Sequence, residues 1–331
     1  MIVNRISWSV VVAWCLLVIL APACSHKGSD TPPVRIQRLD SAMARFAGAP
    51  AAERLALGDS FRPAFELMAA MELLPGVTDS AIEAYGNSAV SRIFMPDVRE
   101  RLPRLDSLEE VIGAMYAGLS EKLPSVRPPA LYGFESPYMQ SVYFSDSVAL
   151  IALNHYLGPD YPGYDGFESY QKRRKRPALL PYNLLEAHIG SLYPAPDHGS
   201  ATTLSAMLHE GAVLYALMSV MPDASLADAG GWTAAEVEWM ESNERMMWET
   251  LVDNNLLYIS DPMIVRRLVG PGPSTPVINA NAPGAAGRFI GYRIVEEYCR
   301  KHPGTGLPEL LSEQFCSSRS TLVDAGYGWR K

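Results

Sequence analysis

Between residues 200 and 221 the chain is apolar almost all the way round a helical projection: Leu204, Met207, Leu208, Leu214, Leu217, Met218 and Met221 leave no clean polar face. That pattern predicts a helix buried in the middle of a domain. Upstream, residues 34–46 read as a short extended entry into an amphipathic helix. Helical periodicity continues over 51–57, 61–74, 78–94 and 106–119, so the first hundred mature residues predict a helical layer. Residues 128–137 (Pro-Pro-Ala-Leu-Tyr-Gly-Phe-Glu-Ser-Pro) read as a loop or broken strand. The runs 138–144 and 148–153 then predict strands around Ser145-Asp146-Ser147. Further helices are expected over 167–176, 179–192, 233–257, 287–298 and 307–314. The Thr233-Ala-Ala-Glu236 capping box starts the longest of these, and Gly287 and Gly291 lie four apart on one face, where another helix can approach closely. A Pro- and Gly-rich loop is expected over 259–283, and a loosely ordered tail over 316–331. The fold class predicted is α+β, mainly helical, with a small sheet near 138–153.

Three positions break the pattern. His209 and Glu210 sit side by side near the centre of the buried helix. Glu244 falls inside the apolar stripe Val237, Met240, Met247, Trp248 and Leu251 of the following long helix. A buried carboxylate is costly unless it is paired, protonated or bound to a metal. Leu208-His209-Glu210 resembles the start of a His-Glu-x-x-His zinc helix, but Val213 occupies the place of the second histidine. His209 and Glu244 alone fall short of the three protein ligands of a catalytic zinc. The expectation is therefore no metal, no cofactor and no catalytic residue, but a buried polar cluster of Glu210, Glu244, His209 and Arg288 that fixes helix packing. A second candidate is a ligand loop at the end of the strand 148–153. It would carry His155 and Tyr156 and face the 259–283 loop, with Tyr156, Tyr161 or Tyr164 exposed. The run Lys172-Arg-Arg-Lys-Arg176 reads as a solvated helix end, in preference to an anion or headgroup patch.

Composition adds limits. The 331 residues carry 28 basic and 36 acidic side chains, a net charge of −8, which offers nothing to nucleic acid. Arg5, the apolar run 8–20 and small residues at 21–23 predict a signal peptide over 1–23. Cys24 after Ala23 predicts an acylated anchor, with residues 24–35 as a polar tether, one domain over 36–315 and the tail beyond. Cys299 and Cys316 remain as a disulfide or as two free thiols.

The order of motifs carries a resemblance. It runs from Ile36-Gln-Arg-Leu-Asp40 through Ala152-Leu-Asn-His-Tyr-Leu-Gly158 to Met207-Leu-His-Glu-Gly-Ala-Val-Leu-Tyr215. Next come Glu238-Trp-Met-Glu-Ser-Asn-Glu-Arg-Met-Met-Trp248 and Pro283-Gly-Ala-Ala-Gly-Arg-Phe-Ile-Gly-Tyr-Arg-Ile-Val295. This resembles the GldB-type gliding-motility-associated lipoproteins of Bacteroidetes. The resemblance implies a zincin-like core that has lost its motif, with Glu210, Gly211 and Tyr215 matching the family pattern. It also implies a membrane-anchored envelope lipoprotein with envelope protein partners in gliding and type IX secretion; no acidic run follows Cys24, so the periplasmic face is expected. The competing readings are a metal-dependent peptidase using His209, Glu210 and Glu244, and a small-ligand-binding lipoprotein.

Overall fold

The computed structural model describes residues 33–196, 201–221 and 224–328. The expected signal peptide, Cys24, the tether through residue 32, and His198 lie outside the described residues. β1 (Ile36–Arg38) runs directly into α1 (Leu39–Phe46), followed by α2 (Ala51–Ser60), α3 (Arg62–Ala70) and α4 (Asp79–Gly86). Next are α5 (Ala89–Arg101), α6 (Asp106–Lys122), β2 (Ala130–Phe134), β3 (Val142–Ser145) and β4 (Val148–Ala152). Then come α7 (Ser169–Arg173), α8 (Leu180–Leu192), α9 (Thr203–Val220), α10 (Leu226–Gly230) and α11 (Ala234–Ser242). The chain continues with α12 (Glu244–Asp253), α13 (Pro262–Val269), α14 (Ala286–Lys301), α15 (Leu307–Leu310), α16 (Glu313–Ser317) and α17 (Arg319–Ala325). The class is mainly helical α+β, as the periodicity predicts.

The sheet has the order β1-β2-β4-β3, with β1, β2 and β4 parallel and β3 antiparallel to β4. Strand geometry sends alternate side chains to opposite faces. Leu131, Ala149 and Ile151 join the large core around α9, while Tyr132, Phe134, Leu150 and Ala152 join a smaller core under α1, α3 and α4. A parallel pair covered on both faces is apolar at nearly every position, so its sequence lacks alternation. That is why residues 130–134 form a regular inner strand where the sequence reads only a loop or a broken strand. Pro128 and Pro129 precede the ladder, and Gly133 lies where a Cβ would press on Leu153 and Ile36.

Helix α9 starts at a reciprocal cap: the Thr202 N–H donates to Ser205 Oγ (2.8 Å) and the Ser205 N–H to Thr202 Oγ1 (3.1 Å). Its length and mean hydropathy of 1.2 would suit a membrane span, yet 78% of it is buried inside the domain. Its apolar surface is spent on the core. The close partner is α14. A Cβ on Gly211 would collide with the backbone of Gly291, and one on Gly291 with the backbone of Met207. Gly287, one turn earlier, serves a different neighbour, the backbone of Leu268 in α13. The glycine spacing thus does what the sequence suggests, toward two helices.

Three expectations are corrected. The single helix over 233–257 is broken at Asn243, whose amide side chain donates to the Trp239 carbonyl (2.8 Å) and which leaves helical geometry (φ −113°, ψ 12°). The 259–283 segment contains α13, whose start Pro262 and Asp261 fix by a Pro in the first turn and a side-chain cap on the Met263 N–H. The tail is ordered through α16 and α17, because Tyr327 stacks edge-on to Trp248 and donates to Glu244 Oε1 (2.6 Å). Cys299 and Cys316 are both free thiols, and burial pushes Cys316 up to about 12.

Because relief of the α9–α14 contact requires backbone movement, Gly291→Ala should cost about 3 kcal/mol or more. Urea unfolding of the purified protein checks this. A change no larger than that of the control Gly58→Ala, in α2 with open space around its Cβ, would refute the close crossing.

Candidate functional site

The parallel strands β2 and β4 end side by side, and the loops after them are clasped together. The Ser136 N–H donates to Asn154 Oδ1 (3.0 Å), and Asn154 Nδ2 donates back to the Ser136 carbonyl (2.9 Å). The Tyr164 hydroxyl donates to the Asn154 carbonyl (2.5 Å) and accepts from the Leu157 N–H (3.2 Å), which folds the 154–164 loop inward. In consequence Tyr156, Tyr161 and Tyr164 are buried, at 0%, 6% and 0% exposure, and not the exposed ligand contacts expected. Tyr156 is core: it is held by Asn183 Nδ2 (3.1 Å) and joins the large cluster.

His155 is where the sequence places it, at the strand end, but it is 3% exposed. Its Nδ1 lies 2.9 Å from Ser141 Oγ, and the Pro137 carbonyl also acts on the ring. Burial, and then the charge of Lys175, lowers its pKa to about 3, so the ring is neutral at physiological pH. On the loop after β2, Glu135 is fully buried with neither carboxylate oxygen partnered. Burial first, and then Asp40, raises its pKa to about 8. It carries a proton at neutral pH.

The basic run is not a solvated helix end. α7 closes at Arg173, after a capping box built on Glu168 and Gln171, and the cations then diverge. Lys172 pairs with Asp165 (3.3 Å), Arg173 with Glu236 (2.9 Å) and Arg176 with Asp228 (2.6 Å). Arg174 turns inward, and its Nη1 reaches the Gly230 carbonyl (3.4 Å). Lys175 places its ammonium over the rings of Tyr138, Tyr164 and Phe167, at 5.1, 5.1 and 4.9 Å. Burial lowers the pKa of both, that of Lys175 to about 8.

These side chains meet at a cleft of about 600 Å³ bounded by His155, Tyr138, Arg174, Lys175, Glu186 and Arg266. The cleft lies between the His155 strand end and the 259–283 region. Tyr138 and Tyr170 supply the aromatic surface in place of Tyr156.

Behind the cleft a charge network runs to the central helix. Arg288, with a side chain 5% exposed, lies 2.8 Å from Glu186 and 3.6 Å from Glu210; His209 Nδ1 lies 3.7 Å from Glu210. His209 Nε2 faces the Tyr193 carbonyl at 3.0 Å. Burial opposes the charge on Glu210, but His209 and Arg288 more than offset it and hold the carboxyl below its ordinary range. His209 is likewise pulled down by burial and raised overall by Glu210 and the Tyr193 carbonyl. The expected cluster is therefore divided. Glu210, His209 and Arg288 come together, whereas Glu244 pairs with Arg293 (3.2 Å) and Tyr327. The break at Asn243 and the returning C-terminal segment give Glu244 its own partners. Among the described residues no three of His, Cys, Asp and Glu are grouped to hold a metal.

Glu186 escapes sequence reading, whereas Arg174 and Lys175 lie in the run 172–176, which the sequence favours as a solvated helix end over an anion patch. Glu186 shares the polar face of α8 with Asn183, so nothing marks it as half-buried. The available signal for the cations was the shortness of α7, with Pro177 following closely, which leaves Arg174–Arg176 outside any helix register.

The family profile described as gliding motility protein GldB matches residues 24–328. The chain belongs to this family, and through it to the gliding-motility-related lipoproteins. No curated protein and no solved structure matches it.

Removing the shared cation exposes the network. Arg288→Met should lose about 3 kcal/mol, because Glu186 and Glu210 are left without it, and combining it with Glu186→Gln and Glu210→Gln should recover much of the loss. Urea unfolding of both variants at neutral pH is the check. Glu135 gives a pH signature. Its folded pKa lies above its unfolded one, so the stability it contributes is complete below about pH 4.5 and lost as pH rises to about 8. Against Glu135→Gln, wild-type stability should fall by a few kcal/mol across that window. A flat difference in melting profiles between pH 5 and 8.5 would mean that Glu135 is already ionised.

Proposed function

We propose that this GldB-family lipoprotein is a membrane-anchored, non-enzymatic accessory or scaffold protein of the cell envelope. Cys24 carries the anchor, the domain faces the periplasm, and the partners are proteins of the gliding and type IX secretion machinery. The match to a gliding-motility family over 24–328 is the observation that carries this reading. Two features of the site support it. His209 and Glu210, the residues best suited to metal-assisted hydrolysis, are engaged with Tyr193 and Arg288, and Glu244 stands in a separate cluster. Val213 occupies the place where a second histidine would stand. On this reading α9 is the helix of a zincin-like core, kept for packing after the ligands were lost. Arg288 is its charge clamp.

Affinity capture from detergent-solubilised envelopes of the native host should recover envelope proteins of gliding or secretion assemblies, and deletion of the gene should impair their assembly. Recovery of no envelope partner, with normal assembly in the deletion strain, would overturn the accessory role. Metal analysis of the full-length purified protein separates the enzyme class. Stoichiometric zinc that disappears in His209→Ala would overturn the non-enzymatic reading.

A further inference from the structure

The five cations of residues 172–176 fall into two kinds. Lys172, Arg173 and Arg176 each have a carboxylate of their own. Arg174 and Lys175 have no ion pair among the described residues, and these are the two that line the cleft. A cation withdrawn from water without a counter-charge is unfavourable, and the usual remedies are a paired anion or loss of the proton. Glu186 is the one carboxylate among the described lining residues, and Arg288 engages it from behind. Glu186 and Glu210 both act on Arg174 at a distance, yet burial still outweighs them. Arg266 adds a cation at the rim. On the wall, His155 is 3% exposed, with the Pro137 carbonyl and Ser141 Oγ acting on its ring. The cleft is thus a preformed surface with surplus positive charge and the aromatic faces of Tyr138, Phe167 and Tyr170.

The geometry points to this cleft as a binding site for a phosphomonoester, with its phosphate between Arg174 and Lys175 and its organic part along Tyr138 and Tyr170. The charge count selects the class. Among the lining residues Arg174, Lys175 and Arg266 stand against Glu186, a surplus of two. A phosphomonoester carries about −1.5 to −2 near neutrality, whereas a carboxylate leaves one cation unmatched. A guanidinium offers a planar fork to phosphate oxygens, and an ammonium a point charge beside it. Bound phosphate would also supply the counter-charge that Lys175 lacks. The phosphate could belong to a soluble ester or to the headgroup of a phosphatidic acid. The inference does not depend on the accessory role.

Calorimetric titration of the full-length protein in neutral detergent, with phenyl phosphate, inorganic phosphate and dihexanoyl phosphatidic acid, tests it. Phenyl phosphate should bind about tenfold more tightly than inorganic phosphate, because stacking on the aromatic wall adds roughly 1 kcal/mol or more. Arg174→Gln and Lys175→Gln should each weaken binding about tenfold or more, while Lys172→Gln, whose lysine has its own carboxylate, should leave it unchanged. Preference for dihexanoyl phosphatidic acid over phenyl phosphate assigns the headgroup as the source, and the reverse preference assigns a soluble ester. Either result upholds the site. A wild-type measurement guards against misfolded variants: ligand should raise the pKa of Lys175 from about 8, read by pH-dependent reductive methylation. No binding by any of the three probes, equal losses in Lys172→Gln and Lys175→Gln, or an unmoved Lys175 would overturn the proposal.

Discussion

The closest constraint in this molecule is the crossing of α9 and α14, where Gly211 and Gly291 let two backbones approach to a distance that no side chain permits. Dispersion and burial both gain from such an approach, since each helix presents its apolar neighbours to the other along several turns. Its larger effect is on charge. Glu210 precedes Gly211, and Arg288 lies one turn before Gly291, so the crossing that seats the glycines also sets the guanidinium beside the carboxylate. From there Arg288 reaches Glu186 on α8. One steric fact therefore fixes how α8, α9 and α14 meet and sets Arg288 beside the Glu186 and Glu210 carboxylates.

The sheet supplies the second half of the frame. With both faces covered, its strands cannot slip register without moving large side chains from one core to the other. Their C-terminal ends, clasped by Asn154 and Ser136, hold His155 in place and carry Glu135 as a protonated acid. The cleft lies where this rigid edge meets α8 and the segment after α7, so its walls come from elements that are independently fixed. That is the usual condition for a binding surface whose shape does not depend on the ligand.

Electrostatic partnership distinguishes the regions. In the central network every charge has a counterpart, and its role is to specify how α8, α9 and α14 meet. At the cleft the balance fails in one direction, and Lys175 rests on aromatic faces in place of a carboxylate. The molecule carries both: a closed polar core that sets its shape, and an open cleft with surplus positive charge.

Much of this was legible in the chain alone. Local physics places the buried helix at 203–220, the extended entry at 36–38, the strand at 148–152 and the close-approach glycines of α14, because periodicity, β-branching and the missing Cβ act within a few residues. His209, Glu210 and Glu244 were recognisable as misplaced polarity in an apolar pattern. What the chain alone could not decide is partnership. Glu186 and Arg288 meet across 102 positions of sequence, and Arg173 and Glu236 across 63. Periodicity carries no signal at such separations. The same holds for β2, whose two buried faces erase the alternation that marks a strand. It holds for Glu244 too, whose stripe assumed an unbroken helix until Asn243 interrupted it. Residue types and helical faces were determined locally. Which carboxylate answers which cation, and which two cations are left facing a cleft, was decided only when the helices packed.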